Sequence, residues 1–139
     1  MDTLELVAGL IIRGNRLLLV HNVKHNGFRV EPPGGKRHGN ETREEAVARE
    51  VMEETGLSVH VGGLFGVYST HSPEGSFNVY MYVCDAPKGE PAVMEPHLIG
   101  GLGWYSYDEI EALAASGALV PNMVAALMQL RALLDRGDG

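Results

Sequence analysis

Apolar and β-branched residues dominate from Leu4 to Val20 and are interrupted only at Gly14-Asn15, a pattern that predicts two strands joined by a tight hairpin. Phe28-Arg29-Val30 suggests a short third strand. Pro32-Pro33-Gly34-Gly35 comes next, and two prolines without donors beside two permissive glycines predict a loop that continues neither a helix nor a sheet ladder. From Glu41 to Thr55 almost every residue is a good helix former. Thr42 and Glu45 stand at capping-box spacing and Gly56 at the expected stop, which predicts a helix over this stretch. Leu57 to Thr70 and Ser76 to Asp85 read as the strands of a second hairpin, turned at Ser72-Pro73-Glu74-Gly75. The Pro- and Gly-rich stretch from Ala86 to Gly103 predicts loops before a short strand at Leu102 to Tyr105, followed by a brief helix from Asp108 to Ala115. Pro121 opens a final helix in which Val124, Leu127, Met128, Leu130 and Leu134 form an apolar stripe near the 3.6-residue period, predicted to pack on the sheet. With no internal repeat, low-complexity tract or linker, the expectation is a single α/β sandwich-like domain over residues 1–139.

Composition narrows the class. The 139 residues are 45% hydrophobic and 21% charged, which excludes disorder, collagen and coiled coil. No apolar run approaches the roughly 18 residues of a spanning helix, and Met1-Asp2-Thr3-Leu4-Glu5 lacks the basic start of a signal peptide. The expectation is a cytoplasmic protein without membrane contact. Cys84, the single cysteine, can form neither an internal disulfide nor a cysteine-based zinc site. Set among Tyr80, Met81, Tyr82 and Val83, it is expected to be buried and unreactive. The six histidines, His21, His25, His38, His60, His71 and His97, show no zinc-site spacing.

Charge changes the picture further. Asp and Glu total 18 against 11 Lys and Arg, a formal net charge of −7, which argues against a polymeric nucleic-acid partner, since phosphate-backbone binding needs a basic surface. The cations are nonetheless clustered: Lys24, Arg29, Lys36, Arg37, Arg43 and Arg49 are six of the eleven, and they overlap an acidic group. Such mixed charge suits a small anionic ligand held through bound cations, or, more plainly, a solvated helix with paired charges.

The acidic group has an informative spacing. Five residues separate Gly35 from Glu41, and seven more precede Arg49-Glu50-Val51-Met52-Glu53-Glu54-Thr55-Gly56-Leu57. At about 100° per residue, Glu50, Glu53 and Glu54 fall on one helix face at i, i+3 and i+4. Their mutual repulsion calls for a cation, and Arg49 alone is expected to neutralise one carboxylate. Hard divalent ions such as Mg²⁺ take oxygen ligands, which matches carboxylates with no nearby thiol.

Gly35, Glu41, Arg49, Glu50, Val51, Glu53, Glu54, Gly56 and Leu57 match every specified position of G-x5-E-x7-R-E-U-x-E-E-x-G-U, U being a bulky aliphatic residue. In this the chain resembles the Nudix hydrolase family, and the Pro33-Gly34-Gly35 lead-in is also similar. The resemblance implies a Nudix-type α/β/α sandwich, a mixed β-sheet flanked by helices. It implies Mg²⁺, with Mn²⁺ as a substitute, held by Glu50, Glu53, Glu54 and the Gly34 carbonyl, and Arg49 orienting a catalytic glutamate through its fork of donors. Glu41, near the helix start, is expected to be structural. The implied reaction is hydrolysis of the pyrophosphate linkage in a nucleoside diphosphate joined to another group. Glu50 is the first candidate for the base, with Glu95 and Glu74 as loop alternatives. Dimers are common among similar proteins, so a homodimer is a further expectation.

Substrate contacts are less specified. Glu31, Lys36 and Glu95 are the candidates, Lys24 and Arg37 being further cations that could reach a phosphate or serve only solubility. Phe28, Phe65, Tyr68, Phe77 and Trp104 are expected chiefly in the core, one of them a candidate stacker for a nucleobase. Pro73 stands sixteen residues after Leu57, where Nudix enzymes acting on ADP-ribose tend to carry proline, and the same Pro73 also suits a plain hairpin turn. The reading therefore leans to ADP-ribose or nucleotide sugars, against a nucleoside-triphosphate pyrophosphatase of MutT type or a non-catalytic nucleotide-binding regulatory module.

Overall fold

The Gly14-Asn15 turn does what the pattern demands: Gly14 takes a positive φ of 62°, and strand β1 (Leu4–Arg13) folds back as β2 (Arg16–Asn22). The structure is a computed structural model that describes residues 4–24, 28–86 and 88–137, the side chains of 136 and 137 excepted. His25 and the leading residues 1–3, included in the expectations above, lie outside them. The remaining elements follow as β3 (Arg29–Glu31), β4 (Gly34–Gly35), α1 (Arg43–Thr55), β5 (His60–Ser72), β6 (Gly75–Asp85), β7 (Ile99–Tyr105), α2 (Tyr107–Ser116), α3 (Pro121–Ala125) and α4 (Leu127–Gly137).

The sheet runs in the order β3-β2-β1-β6-β5, with β7 added to β2 and β4 to β1. It is mixed, because β1 lies parallel to β6 from Leu4 to Ile11 while the hairpin partners are antiparallel. It also opens along one seam. β1 and β2 are paired only next to their turn, at Ile12–Leu17 and Arg13–Arg16. Nearer the start of β1 they splay apart, and the Pro-Pro-Gly-Gly segment enters the gap.

That segment is a correction to the sequence reading. Gly34 and Gly35 are not loop; they pair with Ala8 and Val7 as a two-residue strand. A Cβ at Gly34 would collide with the Val7 carbonyl, so only a residue without one can approach β1 this closely. Pro33 contributes through the one backbone group it retains: its carbonyl accepts from the Gly9 N–H at 2.9 Å.

Period-2 alternation sends the strands' apolar residues to two sides. Val7, Ile11, Leu18 and Cys84 face α1, whose Ala46, Val47 and Val51 are fully buried against them. Gly9 sits under this helix, where a Cβ would lie 3.0 Å from a Val51 methyl. Leu10, Leu17, Leu19, Val79 and Met81 face the other way, onto Ile110, Met123, Leu130 and Leu134 of the later helices. The result is an α/β/α sandwich with one core on each face of the sheet.

The single final helix of the sequence reading is two helices. α3 ends at Ala125, the N–H of the following Ala126 bonds back to Met123 in a tightened turn, and α4 begins at once. The buried stripe is therefore Met123, Ala126, Leu130 and Leu134, with Leu127 partly covered. Val124 and Met128, expected inside, are 44% and 83% exposed. Helix α1 begins at Arg43, two residues later than expected. Thr42 is its N-cap, with both capping-box hydrogen bonds made, and Gly56 closes it in the left-handed region at φ 76°. No helix among the described residues is long and apolar enough to cross a membrane.

Candidate active site

Helix α1 turns its acidic face into a cleft of about 450 Å³ at the opening of the sheet, whose lining includes Glu50, Glu53 and Glu54. Arg49 organises the entry. Its Nε and Nη2 donate to the two Glu41 oxygens at 2.6 and 3.1 Å, its Nη1 to Glu50 at 3.0 Å and Glu53 at 2.7 Å, and Nη2 also to the Lys36 carbonyl at 2.9 Å. One guanidinium thus touches three carboxylates, where the sequence reading allotted it one, because its five donors point in several directions from one plane. Glu41 in turn accepts from the His38 N–H at 2.8 Å. The Arg49 hydrogen bond, helped by that backbone contact, holds the Glu41 carboxyl down to about 2. Glu41 thereby ties the segment before α1 to the arginine.

Deeper in, Glu54 is only 6% exposed, and accepts from the Gly34 N–H at 3.2 Å. Burial drives its carboxyl far above the ordinary range, and a hydrogen bond with Glu50 adds to the shift. Burial raises Glu50 as well, opposed by its bonds to Glu54 and Arg49. Set side by side, the two carboxyls each resist ionising, burial being the leading cause for both. Glu53, more exposed, turns to Arg49 instead. Among the described residues no three acidic, histidine or cysteine side chains are already grouped as an ion's ligand set. Arg49 offsets part of the repulsion anticipated from the spacing, through its bonds to Glu50 and Glu53.

The donor set nevertheless fits a hard cation: these side chains offer oxygen only, Glu54 buried and Glu50 half-buried beside it. The backbone also leaves them room. A Cβ at Gly35 would lie 2.6 Å from Glu50 Oε1, so glycine there is what lets the carboxylate enter the cleft.

The other predicted contacts are gathered at the same place. Gly34, Lys36, Glu31, Glu95 and Glu74 all line the cleft, together with Lys24. Glu74, from the β5–β6 turn, bridges Lys24 at 3.3 Å and Lys36 at 3.5 Å, and the Lys24 hydrogen bond leads in holding its carboxyl below the usual range. Glu31 accepts from Asn22 Nδ2 at 3.2 Å, and burial raises its carboxyl. Arg37 is directed elsewhere, 3.8 Å from Glu5. Of the aromatic candidates, Phe28 and Phe77 line the cleft; Phe28 is largely exposed. Trp104 belongs to the α1 side of the sheet, under the Arg13 guanidinium. Sequence reasoning passed over Asn22, Thr70 and Asn122, all in the cleft lining. Thr70 carried a detectable signal, since it shares the inward register of β5 and lies opposite Phe77.

Residues 3–126 match the family model described as NUDIX domain. The chain belongs to the NUDIX domain family. As a Nudix protein it is 41% identical over 88 residues to the ADP-ribose pyrophosphatase of Methanocaldococcus jannaschii, covering 60% of this chain and 52% of that one. It is 31% identical over 114 residues to the NAD-capped RNA hydrolase NudC of Yersinia pestis, covering 82% of this chain and 43% of that protein. The chain spans about half the length of these two relatives. Among solved structures it resembles the MutT NUDIX hydrolase from Burkholderia pseudomallei (28% identity, TM-score 0.72, covering 78% of this chain and 87% of that one). A NUDIX hydrolase from Nitrosomonas europaea (23% identity, TM-score 0.79, covering 93% and 88%) shares the fold. Members of the family generally use divalent metal ions.

Proposed function

We propose that this Nudix chain is a Mg²⁺-dependent hydrolase, with Mn²⁺ as a substitute, that cleaves the pyrophosphate linkage of a nucleoside diphosphate derivative, ADP-ribose or a nucleotide sugar. The observation that carries this reading is the single cleft shared by Glu50, Glu53, Glu54 and Gly34 with two lysines, Lys24 and Lys36. Carboxylates and the Gly34 carbonyl would hold the ion, and the lysines would meet phosphate oxygens. A bound divalent ion supplies neutralisation of phosphate charge and a more acidic water.

Glu50 is the base in this reading. Arg49 fixes its direction and burial raises its carboxyl, which suits a group that must take a proton. Glu74 suits it poorly, because two lysines hold it anionic and weakly basic. Glu95 remains within reach of the same cleft as the alternative. The preference for a diphosphate joined to a second group draws support from the names of the two relatives, ADP-ribose pyrophosphatase and NAD-capped RNA hydrolase. In both named substrates a diphosphate joins adenosine to something else. The likeness to a MutT hydrolase favours a nucleoside triphosphate as the second reading.

The test is a product screen with Mg²⁺ over ADP-ribose, sugar nucleotides, dinucleotides and triphosphates. AMP and a sugar phosphate from ADP-ribose support the first reading, whereas pyrophosphate released from triphosphates alone supports the second. Nucleotide binding without turnover of any of them would make the chain a regulatory module.

A further inference from the structure

Between His60 and Asp85 the sequence holds a single Asp, Glu, Lys or Arg, Glu74, and the fold sets it at the tip of the β5–β6 hairpin. Ser72 and Gly75 are directly paired, so Pro73 and Glu74 make the turn, and the Ser72 Oγ accepts from the Glu74 N–H at 3.1 Å. That local bond fixes the backbone from which the carboxylate leaves. A second tie orients the hairpin: Arg29 Nη1 donates to the His71 carbonyl at 3.2 Å. The tip is thereby brought to two segments distant in sequence, the one after β2 with Lys24 and the one after β4 with Lys36. Glu74 Oε1 lies 3.3 Å from Lys24 Nζ and its Oε2 3.5 Å from Lys36 Nζ, and all three residues line the cleft with Glu50 and Glu54. Arg49 Nη2 holds the Lys36 carbonyl at 2.9 Å, so that ammonium works from a backbone anchored beside the acidic face.

The bridge is built to be exchanged. Both distances exceed the roughly 2.7 to 2.9 Å of a tight charge-assisted hydrogen bond. The side chains of Glu74, Lys24 and Lys36 are 35%, 48% and 61% exposed, so solvent screening keeps the two pairs weak. Because Ser72 and Arg29 secure the hairpin through its backbone, the Glu74 side chain can turn away without moving the tip. A carboxylate that gives one oxygen to each of two ammonium groups also presents what a phosphate presents, with less charge. We infer that Glu74 is a displaceable stand-in for the substrate's phosphate, which takes Lys24 and Lys36 from it on binding. This rests on the hydrolase reading above, in which those lysines meet phosphate oxygens. It adds that the protein's own carboxylate competes for them, so that Glu74 sets how strongly an anion must bind to enter.

The experiment is calorimetric titration of the full chain with inorganic pyrophosphate in the presence of Mg²⁺. Wild type is compared with Glu74→Gln, with the double variant Lys24→Gln/Lys36→Gln, and with all three substitutions together. Glu74→Gln is expected to tighten pyrophosphate about threefold to tenfold, as release of two exposed ion pairs would, with little change in melting temperature. Loss of the lysines should weaken binding, and without them Glu74→Gln should alter affinity by less than about 1.5-fold, the non-additivity that a shared partner produces. Unchanged or weaker binding by Glu74→Gln overturns this inference and leaves the hydrolase reading standing, since the carboxylate would then be indifferent to the anion or would be placing the lysines for it. An equal gain in the absence of the two lysines overturns it too, because the effect would be the general field of one negative charge. If none of the four chains binds pyrophosphate, both readings fall.

Discussion

The backbone N–H of Gly34 donates to the Glu54 carboxyl across 3.2 Å, joining the strand wedged against β1 to the last turn of α1. Glu41 and Arg49 make the corresponding tie near the other end of the helix. The acidic face is therefore clamped at two heights, and groups twenty residues apart in sequence hold a fixed relation. Preorganisation of this kind is what a charge-stabilising site needs.

Replacing Glu54 by glutamine keeps an acceptor for Gly34 while removing a charged oxygen ligand. Mg²⁺-dependent turnover of the best substrate is expected to fall by about 10²-fold or more, with the melting transition retained. Near-normal kcat in a folded variant would remove Glu54 from the metal shell.

Burial raises the Glu54 carboxyl, and this gives stability a definite pH dependence. The folded pKa lies above the unfolded one, so the folded state keeps a proton that the unfolded chain releases above about 4.3. Its contribution is fully present below that value and is lost as pH rises towards the folded pKa. Metal-free wild type should therefore lose stability relative to Glu54→Gln between about pH 5 and 9, and added Mg²⁺ should oppose that loss with release of protons. Paired melting curves across pH, with chelator and with Mg²⁺, read this directly.

The two glycines should fail differently. In Gly35→Ala the new Cβ meets the flexible end of Glu50 at 2.6 Å, so Mg²⁺ affinity and kcat should drop more than stability does. In Gly34→Ala the clash is with the Val7 backbone, and the expected outcome is a destabilisation of several kcal/mol or failure to fold. Chemical unfolding beside metal titration separates them, and similar behaviour of the two variants would contradict the assigned geometry.

Arg49→Lys retains the charge but not the fork. Contacts to Glu41, Glu50, Glu53 and the Lys36 carbonyl cannot all be kept by one ammonium. A fall in kcat of about tenfold to a hundredfold is expected, with stability reduced by only about 1 kcal/mol, since these pairs are partly solvated. Steady-state kinetics with denaturant unfolding of the same preparation would check both numbers.

The register of the last helices can be tested without any assay of activity. Met128→Lys, at 83% exposure, should change stability by less than about 0.5 kcal/mol, whereas fully buried Leu130→Ala should cost about 2 to 5 kcal/mol. A large effect at Met128 would restore the single-helix register.

The helix of the glutamates was legible because its information is local: capping residues, helix formers, a stop glycine and acidic residues one turn apart all lie within fifteen positions. Gly34, Lys36, Glu31, Glu74 and Glu95, named from the sequence for separate roles, all line the cleft. Their mutual relations were not. That Glu74 spans two lysines depends on where the β5–β6 hairpin lies beside the start of the loop, and no spacing encodes that distance. Val124 and Met128 were misplaced for a related reason, since a turn tightened at Ala126 resets the phase on which a periodic stripe depends.

The sequence by itself determined helix α1, the two hairpins and the signature, because caps, turns and i, i+3, i+4 spacing act over a few residues. Tertiary structure alone decided that Gly34 and Gly35 pair with β1, that Arg49 serves three acids, that Glu54 is buried against the Gly34 N–H, and that Thr70 is left unpaired. Each of these depends on how far β1 and β2 splay and what enters between them. Close approach and desolvation arise between segments distant in the chain, so they exist only once the sheet has closed around the cleft.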